Sequence, residues 1–308
     1  MIGIKNIGVY IPGNKVSNAT RLEKFDITED FIEKKVGIHT LSRKEATEFA
    51  SDLCVKSFDD LLARESSLDP GRIDCVCVCT QNGDYQLPHT SAVVQGKLNL
   101  HGDCAAFDIS LGCSGYVYSL LVIKSFMEAN DLNCGILFTS DPYSQILDPD
   151  NKNTELLFGD AATATLLAED ASLEIGKGVF YTDGRSHGAL IKREGERLYM
   201  DGREIFNFIL RHVPSNIKKC LKANGASMDD IDMFLFHQAS KYVIDNLIKR
   251  MRLDSQKVPF AIKEYGNTVS STIPIMLKQY LNYEQLNTFL LSGFGVGLGV
   301  ASLVLGRK

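Results

Sequence analysis

The stretch Asp108-Ile109-Ser110-Leu111-Gly112-Cys113-Ser114-Gly115 joins a predicted strand to a predicted helix. The apolar run from Cys104 to Ile109 is typical of a buried strand. After Ser114, apolar residues recur at helical spacing at Val117, Leu120, Leu121, Ile123 and Met127. The pattern therefore predicts a helix of about four turns that begins just after Cys113. Gly112 and Gly115 allow a tight turn and the close approach of a ligand at this junction.

The position of Cys113 before a helix makes it a candidate nucleophile. The unpaired N–H groups of the first helical turn carry partial positive charge, so we expect them to favour thiolate over thiol. The same N–H groups can hold a developing oxyanion, as thioester chemistry requires. The other interpretation is a buried structural cysteine, since free cysteines pack as small hydrophobes.

Composition excludes several classes of function. The chain has 308 residues and a net charge of −5, with no basic tract of the kind that binds nucleic acid. No apolar run approaches the roughly 20 residues that spanning a bilayer requires, and the N-terminus lacks the layout of a signal peptide. Eight cysteines in a chain of this length do not indicate a disulfide framework. We therefore expect a cytoplasmic protein that interacts with neither nucleic acid nor membrane.

Three cysteines, Cys75, Cys77 and Cys79, alternate with valines in one predicted strand. This spacing places the thiols on one face of the strand, whereas structural zinc sites use paired cysteines on turns. The interpretation is core packing, and no metal site is predicted.

Elements in the first part of the chain recur in the second. An apolar strand ending at Thr80-Gln81 is matched by Met233 to Phe236, which ends at His237-Gln238, and a helix-patterned segment precedes each strand. We predict an α/β protein with two related halves, residues 1–170 carrying Cys113 and residues 171–308 carrying His237 and Asn267. A pseudo-twofold pairing of the halves would bring these strand ends together, where open α/β sheets bind ligands.

The glycine-rich segment from Gly293 to Gly299 does not match the G-x-G-x-x-G pattern of dinucleotide binding, and it leads into a strand. Close approach of the backbone to a substrate carbonyl explains these glycines better.

Seven motifs occur in a specific order: Gly112-Cys113-Ser114-Gly115, Phe158-Gly159-Asp160-Ala161-Ala162, Asp183-Gly184, Met200-x-Gly202-x-Glu204-Ile205-Phe206, His237-Gln238-Ala239, Gly266-Asn267-Thr268 and Gly293-Phe294-Gly295. Through them the chain resembles, nearly end to end, the type III β-ketoacyl-acyl-carrier-protein synthases of the thiolase superfamily. The resemblance implies a thiolase-like fold, in which two pseudo-symmetric α/β halves form five αβαβα layers.

The resemblance also implies the chemistry. Cys113 would accept an acyl group from a thioester, and the N–H groups of Cys113 and Val296 would hold the oxyanion. His237 and Asn267 would donate hydrogen bonds to the thioester oxygen of a malonyl unit, which loses carbon dioxide and attacks the acyl group. No metal or redox cofactor is needed. The expected function is therefore decarboxylative condensation of an acyl primer with malonyl-acyl carrier protein, in fatty acid or specialised acyl biosynthesis.

Further binding positions follow from the resemblance. It implies substrate contacts at Phe294, Gly202, Phe206, Ser240 and Leu87. Leu87 matches a position that reaches from one subunit of a homodimer into the acyl tunnel of the other, so a homodimer is expected.

Several positions depart from the family pattern. Members that take a coenzyme A primer hold its adenine with a Trp and two Arg residues, whereas the matching positions here carry Phe31, Lys35 and Asn153, and the chain has no Trp. A lysine ammonium does not stack on a nucleobase as a guanidinium does. The family's usual Asn after His-Gln-Ala is Ser240 here. The hypothesis is that coenzyme A esters are poor primers and that acyl carrier protein delivers one or both substrates.

Carrier proteins are acidic, so a basic docking patch is expected near the site. The candidates Lys241, Lys249 and Arg250 lie on the segment after His237, where the other interpretation is a solvated helix face.

Two further functions stay open. One is transfer of the acyl group to an oxygen or nitrogen nucleophile. The other is a non-catalytic partner subunit, although Cys113, His237 and Asn267 are all present.

Overall fold

Strands and helices alternate along the chain, as the sequence predicts for an α/β protein. The structure is a computed structural model and describes residues 1–308. The strands are β1 (Gly3–Tyr10), β2 (Asn14–Ser17), β3 (Thr40–Arg43), β4 (Cys75–Cys79), β5 (Ala105–Ile109), β6 (Cys134–Ser140), β7 (Ala162–Ala168), β8 (Leu173–Thr182), β9 (Leu190–Ile191), β10 (Tyr199–Met200), β11 (Met233–Phe236), β12 (Thr288–Gly295) and β13 (Gly299–Arg307). The helices are α1 (Leu22–Phe25), α2 (Glu29–Phe31), α3 (Ala50–Arg64), α4 (Thr90–Lys97), α5 (Gly115–Ala129), α6 (Lys152–Glu155), α7 (Gly202–Ala223), α8 (Lys241–Met251) and α9 (Thr272–Tyr280).

Nine strands form one sheet in the order β11-β12-β13-β8-β1-β7-β6-β4-β5. Pairing directions repeat within it. In one set, β4 pairs parallel with β6, and β6 with β7 and β7 with β1 pair antiparallel. In the other set, β11 pairs parallel with β12, and β12 with β13 and β13 with β8 pair antiparallel. The two sets meet where Gly3 and Ile4 pair with Glu174 and Leu173. We propose that this repeat reflects two halves divided at residue 170.

The core has five layers, which confirms the predicted arrangement. Helices α5 and α9 form the middle layer, because their apolar residues share one cluster with residues of both strand sets, among them Leu137 of β6 and Leu291 of β12. On the outer faces, α3 and α4 cover β4, β6 and β7, while α7 and α8 cover β11, β12 and β13. The alternation of side chains along each strand separates these clusters.

Strand β4 illustrates this alternation. Cys75, Cys77 and Cys79 belong to the cluster around α5, whereas Val76 and Val78 belong to the cluster under α3. The prediction that the three thiols share one face is therefore confirmed. All eight cysteines are free thiols in the structure, and none of the helices is both long and apolar enough to span a membrane.

Candidate active site

Cys113 lies between the end of β5 at Ile109 and the start of α5 at Gly115, as the apolar pattern predicts. The turn closes with a hydrogen bond of 2.7 Å from the Gly115 N–H to the Gly112 carbonyl. Only 4% of Cys113 is exposed, and the residue packs in the apolar cluster that includes Phe294 and Val269. The sulfur therefore sits in a largely dehydrated site at a helix N-terminus.

The end of strand β12 closes over this sulfur. Gly295 has a φ of 153°, and a Cβ built on it would lie 2.7 Å from the Cys113 Sγ. A larger residue at position 295 would thus be strained and would collide with the thiol. The N–H groups of Val296 and of Cys113 itself hydrogen-bond to the sulfur. Two backbone donors therefore flank the sulfur.

Burial raises the pKa of the Cys113 thiol to about 12, and the Val296 and Cys113 N–H groups only partly oppose this effect. The expected preference for thiolate is therefore wrong for the resting site. The N-terminus of the helix favours the thiolate locally, but loss of solvation disfavours the charged form more strongly.

This pKa predicts the pH dependence of Cys113 alkylation. Because the thiolate is the reactive form and the pKa is about 12, alkylation by iodoacetamide should accelerate about tenfold per pH unit between pH 7 and pH 9. Peptide mapping at each pH measures the rate at Cys113, and the urea-unfolded protein provides the control. A rate that levels off below pH 8 would contradict the raised pKa.

His237 follows β11, and its backbone N–H donates to the Ser292 carbonyl of β12 at 2.8 Å. The side chain is 1% exposed, and burial lowers its pKa to about 3, so the imidazole is neutral at physiological pH. Its ring meets the Phe294 ring edge to face, with 5.6 Å between the centroids. Nδ1 lies 2.8 Å from the Thr272 Oγ1, whereas Nε2 has no hydrogen-bond partner in the protein.

Thr272 decides which imidazole nitrogen carries the proton. Its hydroxyl lies 2.8 Å from the His237 Nδ1 and 3.1 Å from the Val269 carbonyl oxygen. When the hydroxyl donates to Nδ1, the proton of the neutral ring sits on Nε2, which can then donate to a ligand. When the hydroxyl donates to Val269, Nδ1 holds the proton and Nε2 is an acceptor. The donor role expected for His237 requires the first arrangement.

Asn267 is held by its backbone against the segment before β7. Its N–H donates to the Leu157 carbonyl at 2.8 Å, and its carbonyl accepts from the Gly159 N–H at 3.0 Å. The side-chain Oδ1 accepts from the Val269 N–H at 2.9 Å. This bond fixes the amide orientation, and the Nδ2 group donates to nothing in the protein. With 4% exposure, Asn267 presents an almost buried, unused donor.

The structure thus brings the expected catalytic segments together. Phe294 touches the His237 ring, and its neighbour Gly295 touches the Cys113 sulfur. Cys113 and Val269 share the cluster that contains Phe294. Because the Val269 N–H also donates to Asn267, Phe294 and Val269 connect all three predicted residues within one buried region. Their catalytic roles remain proposals.

A cavity of about 560 Å³ contains two of the predicted substrate contacts, Gly202 and Ser240, and three further positions that depart from the family pattern. Phe31, Lys35, Asn153, Gly202 and Ser240 all line it, together with Tyr242. The Lys35 ammonium lies 3.9 Å from the centre of the Tyr242 ring, and Phe206 stacks on that ring at 5.1 Å. The residues that depart from the family pattern therefore share one wall with residues expected to contact substrate.

Other predicted positions lie away from this pocket. Leu87 is 87% exposed, on the loop between β4 and α4, so within one chain it does not reach Cys113. On α8, Lys241 pairs with Asp245 at 2.7 Å, whereas Lys249 and Arg250 are exposed and form no ion pair. Lys241 is therefore less suited to dock an acidic partner than the other two cations.

Asp141 is a buried charge that the sequence analysis missed. It directly follows β6 and accepts hydrogen bonds from the Gln81 N–H at 2.8 Å and the Ser270 Oγ at 2.5 Å. It therefore links the end of β4 to the segment that carries Asn267. Burial outweighs these bonds and raises the pKa of Asp141 to about 6. An acidic residue at the end of an apolar strand was the available sequence signal.

Asp141 should make the protein less stable as pH rises from 4 to 7. Its folded pKa of about 6 exceeds its ordinary value of 3.8, so the native state binds the proton more tightly and loses this advantage as the proton leaves. Over this pH range the loss amounts to about 2 kcal/mol in the free energy of unfolding, because the unfolded carboxyl is already partly ionised at pH 4. The Asp141→Asn variant has no ionisable group at this position, so its stability should not show this loss.

Urea unfolding of both proteins at pH 4 and pH 7 measures the effect. The stability of the natural protein relative to the variant should fall by about 2 kcal/mol over that interval. The titratable groups facing Asp141 are Cys79, Cys113 and Tyr143, and burial raises the pKa of each, so all three stay neutral throughout. A difference independent of pH would contradict the account.

Comparison with known proteins agrees with this geometry. The family model described as 3-oxoacyl-(acyl-carrier-protein) synthase III matches residues 107–184, and its C-terminal counterpart matches residues 221–307. The chain is 31% identical to β-ketoacyl-(acyl-carrier-protein) synthase III of Lactococcus lactis subsp. cremoris, over 94% of each protein. It is 30% identical to the enzyme of the same name from Streptococcus mutans, over 98% of each protein.

Solved structures show the same fold. The crystal structure of β-ketoacyl-(acyl-carrier-protein) synthase III from Thermus thermophilus superposes with a TM-score of 0.92 at 29% identity, over 99% of each chain. A 3-oxoacyl-(acyl-carrier-protein) synthase from Burkholderia xenovorans gives a TM-score of 0.90 at 31% identity, over 100% of this chain and 94% of the other. The predicted thiolase-like fold is therefore confirmed. The chain belongs to the 3-oxoacyl-(acyl-carrier-protein) synthase III family of the thiolase superfamily, a family of acyltransferases.

Proposed function

We propose that this enzyme forms a carbon–carbon bond by decarboxylative condensation of an acyl primer, carried on Cys113, with malonyl-acyl carrier protein in fatty acid biosynthesis. Support for the proposal comes from a buried thiol flanked by two backbone N–H groups, and from Phe294 and Val269, which connect it to two residues whose side-chain nitrogens make no hydrogen bond in the protein. These nitrogens are the Asn267 Nδ2 and the His237 Nε2.

The first step transfers the acyl group to the enzyme. The Cys113 sulfur attacks the thioester carbonyl, a new carbon–sulfur bond forms, and the old one breaks. The released carrier thiol takes up the proton that Cys113 loses. The N–H groups of Cys113 and Val296 hold the oxyanion formed on the way. Because the Cys113 thiol is neutral at rest, the two donors matter most once charge develops in this dehydrated site.

The second step consumes the malonyl unit. Its carbon–carbon bond to the carboxylate breaks, carbon dioxide leaves, and the electron pair passes to the thioester as an enolate. Asn267 and the Nε2–H of His237 donate to the enolate oxygen. The carbanion then attacks the acyl carbonyl, the carbon–sulfur bond to Cys113 breaks, and the departing sulfur takes up one proton from solvent. These steps balance without a metal or a redox cofactor.

Product analysis tests the proposed reaction. The enzyme is mixed with an acyl-carrier protein and carboxyl-labelled malonyl-carrier protein, and labelled carbon dioxide and carrier mass are followed together. The proposal predicts a β-ketoacyl-carrier product formed one for one with carbon dioxide. An ester or amide product without labelled carbon dioxide would instead support transfer to oxygen or nitrogen.

Primer delivery is proposed to depend on a carrier protein rather than on coenzyme A. The cavity beside Ser240 offers Lys35 and Asn153 where the resemblance would place arginines, and Lys35 is engaged with the Tyr242 ring. Steady-state kinetics with one acyl group on both carriers should give the higher kcat/KM for the carrier-protein form. A coenzyme A ester that competes better would refute this part of the proposal.

The docking patch for the acidic carrier is proposed to include Lys249 and Arg250 on α8. They lie about 13 Å along the helix from Ser240, which lines the cavity. Replacing both with Glu reverses two charges that are free of ion pairs. The KM for carrier-bound substrate should rise about tenfold, with kcat little changed, because such charges steer association.

The matched control replaces Lys218 and Lys219 with Glu, an adjacent pair of exposed cations of α7 without ion pairs. This pair lies about 24 Å along α7 from Gly202, which lines the same cavity as Ser240. Equal KM values for the α8 variant and the natural enzyme would show that the α8 cations are only a solvated surface.

We further propose a homodimer in which Leu87 enters the partner's acyl tunnel. Its 87% exposure supports this, because a large apolar side chain so exposed in one chain is covered at low cost by another. Sedimentation velocity should give the dimer mass, and Leu87→Phe should narrow the range of accepted acyl chains.

A further inference from the structure

A smaller cavity is lined by Ser110 of the loop before Cys113 and by Val296. Its volume is about 230 Å³, and its polar lining consists of Gln81, Asn82, Ser110 and Lys192. Apolar residues, among them Leu190 and Leu198, complete the wall. The cavity is therefore amphipathic, although none of its lining residues is acidic.

This cavity adjoins the reactive sulfur. Val296 lines it, and the Val296 N–H hydrogen-bonds to the Cys113 sulfur. A Cβ built on Gly112, the residue before Cys113, would lie 2.5 Å from the Gln81 Oε1 and 2.8 Å from the Val296 Cγ1. Gly112 therefore packs directly against two residues of the cavity lining, and the Gln81 and Val296 side chains separate the cavity from Gly112.

The polar groups of the cavity are mostly unused donors. The Asn82 Nδ2 is buried and has no hydrogen-bond partner. The Gln81 Oε1 accepts from the Tyr143 hydroxyl at 2.9 Å, so the Gln81 amide nitrogen remains free to donate. Leaving a buried donor unsatisfied costs about 1–3 kcal/mol, so a bound acceptor would remove that penalty.

The charged residue of the lining is Lys192, which is exposed to solvent. Lys192 forms no ion pair, and the nearby Glu196 is engaged by Arg193 at 3.2 Å. An ammonium beside several amide donors matches an anion with two acceptor oxygens, and a carboxylate is the anion that an acyl chain can carry.

We propose that the primer is a short acyl group whose far end carries a carboxylate. This inference rests on the proposed function, since it takes the acyl group to be bound to Cys113. The volume of about 230 Å³ equals about eight water-sized groups of 30 Å³ each. Two methylene groups and a terminal carboxylate fit, with the methylenes against the leucines and the carboxylate toward Lys192 and Asn82. Succinyl is the simplest such group.

Two thioesters of nearly equal shape test this assignment. Succinyl and 4-methylpentanoyl groups, each loaded on the same carrier protein, differ in a terminal carboxylate against a terminal isopropyl group. Intact-protein mass spectrometry follows the rate at which each mass is added to Cys113. We expect succinyl to load at least about tenfold faster, the factor that 1.4 kcal/mol of selective binding provides.

Lys192→Met and Asn82→Leu test the residues. Each should reduce the ratio of the succinyl rate to the 4-methylpentanoyl rate to near one. The ratio is measured within one preparation, so partial misfolding of a variant cancels. Lys218→Met, which removes an exposed charge from α7, should keep the ratio of the natural enzyme.

Other results would overturn the inference. Faster loading of 4-methylpentanoyl by the natural enzyme would show an apolar preference. An unaltered ratio of the two loading rates in both Lys192→Met and Asn82→Leu would show that these residues do not distinguish a terminal carboxylate from an isopropyl group. In either case, acylation of Cys113 leaves the proposed function standing. If no thioester in a broad panel acylates Cys113, the proposed function itself fails.

Discussion

Replacement of Cys113 by Ala is expected to abolish the acyl-enzyme and to lower condensation at least about a thousandfold. The sulfur is the atom proposed to hold the acyl group covalently, and the backbone of Gly295 and Val296 packs against it. The two proposed donors, His237 and Asn267, do not depend on the sulfur for their orientation. The variant should therefore still release carbon dioxide slowly from malonyl-carrier protein, without forming a carbon–carbon bond.

The measurement compares intact-protein mass after exposure to acyl thioester with the yield of β-ketoacyl product. Cys77→Ala provides a matched control, because Cys77 is a fully buried free thiol in the core around α5. The control should gain acyl mass and form product. Acylation of the Cys113→Ala protein at another residue, with product still forming, would show that Cys113 is not the nucleophile. Absence of acylation in the natural enzyme would favour a non-catalytic subunit.

Asn267→Asp is expected to impair the malonyl step and to leave acylation of Cys113 nearly intact, the reverse of the effect of Cys113→Ala. The substitution keeps the shape and can still accept from the Val269 N–H, but it replaces the free amide donor with a carboxylate oxygen. A negative charge would then face the developing enolate. Condensation should fall about a thousandfold, in the upper range for loss of one such donor. Acylation of Cys113 should change less than about fivefold, since its proposed oxyanion donors are backbone N–H groups.

His237→Ala should follow the same pattern with a loss of about a hundredfold. Rapid-quench mass spectrometry gives the acylation rate, and labelled carbon dioxide gives the second step. Because His237 is neutral down to a pKa of about 3, its protonation should leave no inflection in the pH profile above pH 5. Equal losses in both steps for Asn267→Asp would mean that the residue supports the pocket generally rather than the malonyl step.

The sequence predicted the fold well because local patterns carry most of that information. The strand and helix around Cys113 follow from apolar periodicity, and β4 places its cysteines and valines on opposite faces as alternation requires. The five layers follow from the order of strands and helices together with the resemblance. The pairing of Gly3 and Ile4 with the start of β8, which joins the two strand sets, has no sequence signal.

The site was predictable in part. The ends of β5 and β11 mark Cys113 and His237, but only the order of motifs linked them to Asn267. Partners supplied by distant segments were not predictable, including Thr272 for His237 and Ser270 for Asp141. The pKa of Cys113 was also missed, because desolvation depends on packing by β12 rather than on the helix that follows the residue. The pair of Lys241 with Asp245 was readable, since the two residues stand four apart on one helix.

The most direct test of the account is a single turnover of preloaded enzyme. Cys113 is acylated with an isotope-labelled acyl group, free thioester is removed, and carboxyl-labelled malonyl-carrier protein is added. We predict that the acyl mass leaves Cys113 as one equivalent of labelled carbon dioxide is released, and that the acyl label appears in the β-ketoacyl-carrier product. Departure of the acyl label as free acid, ester or amide, with the malonyl carboxylate retained, would contradict the central claim.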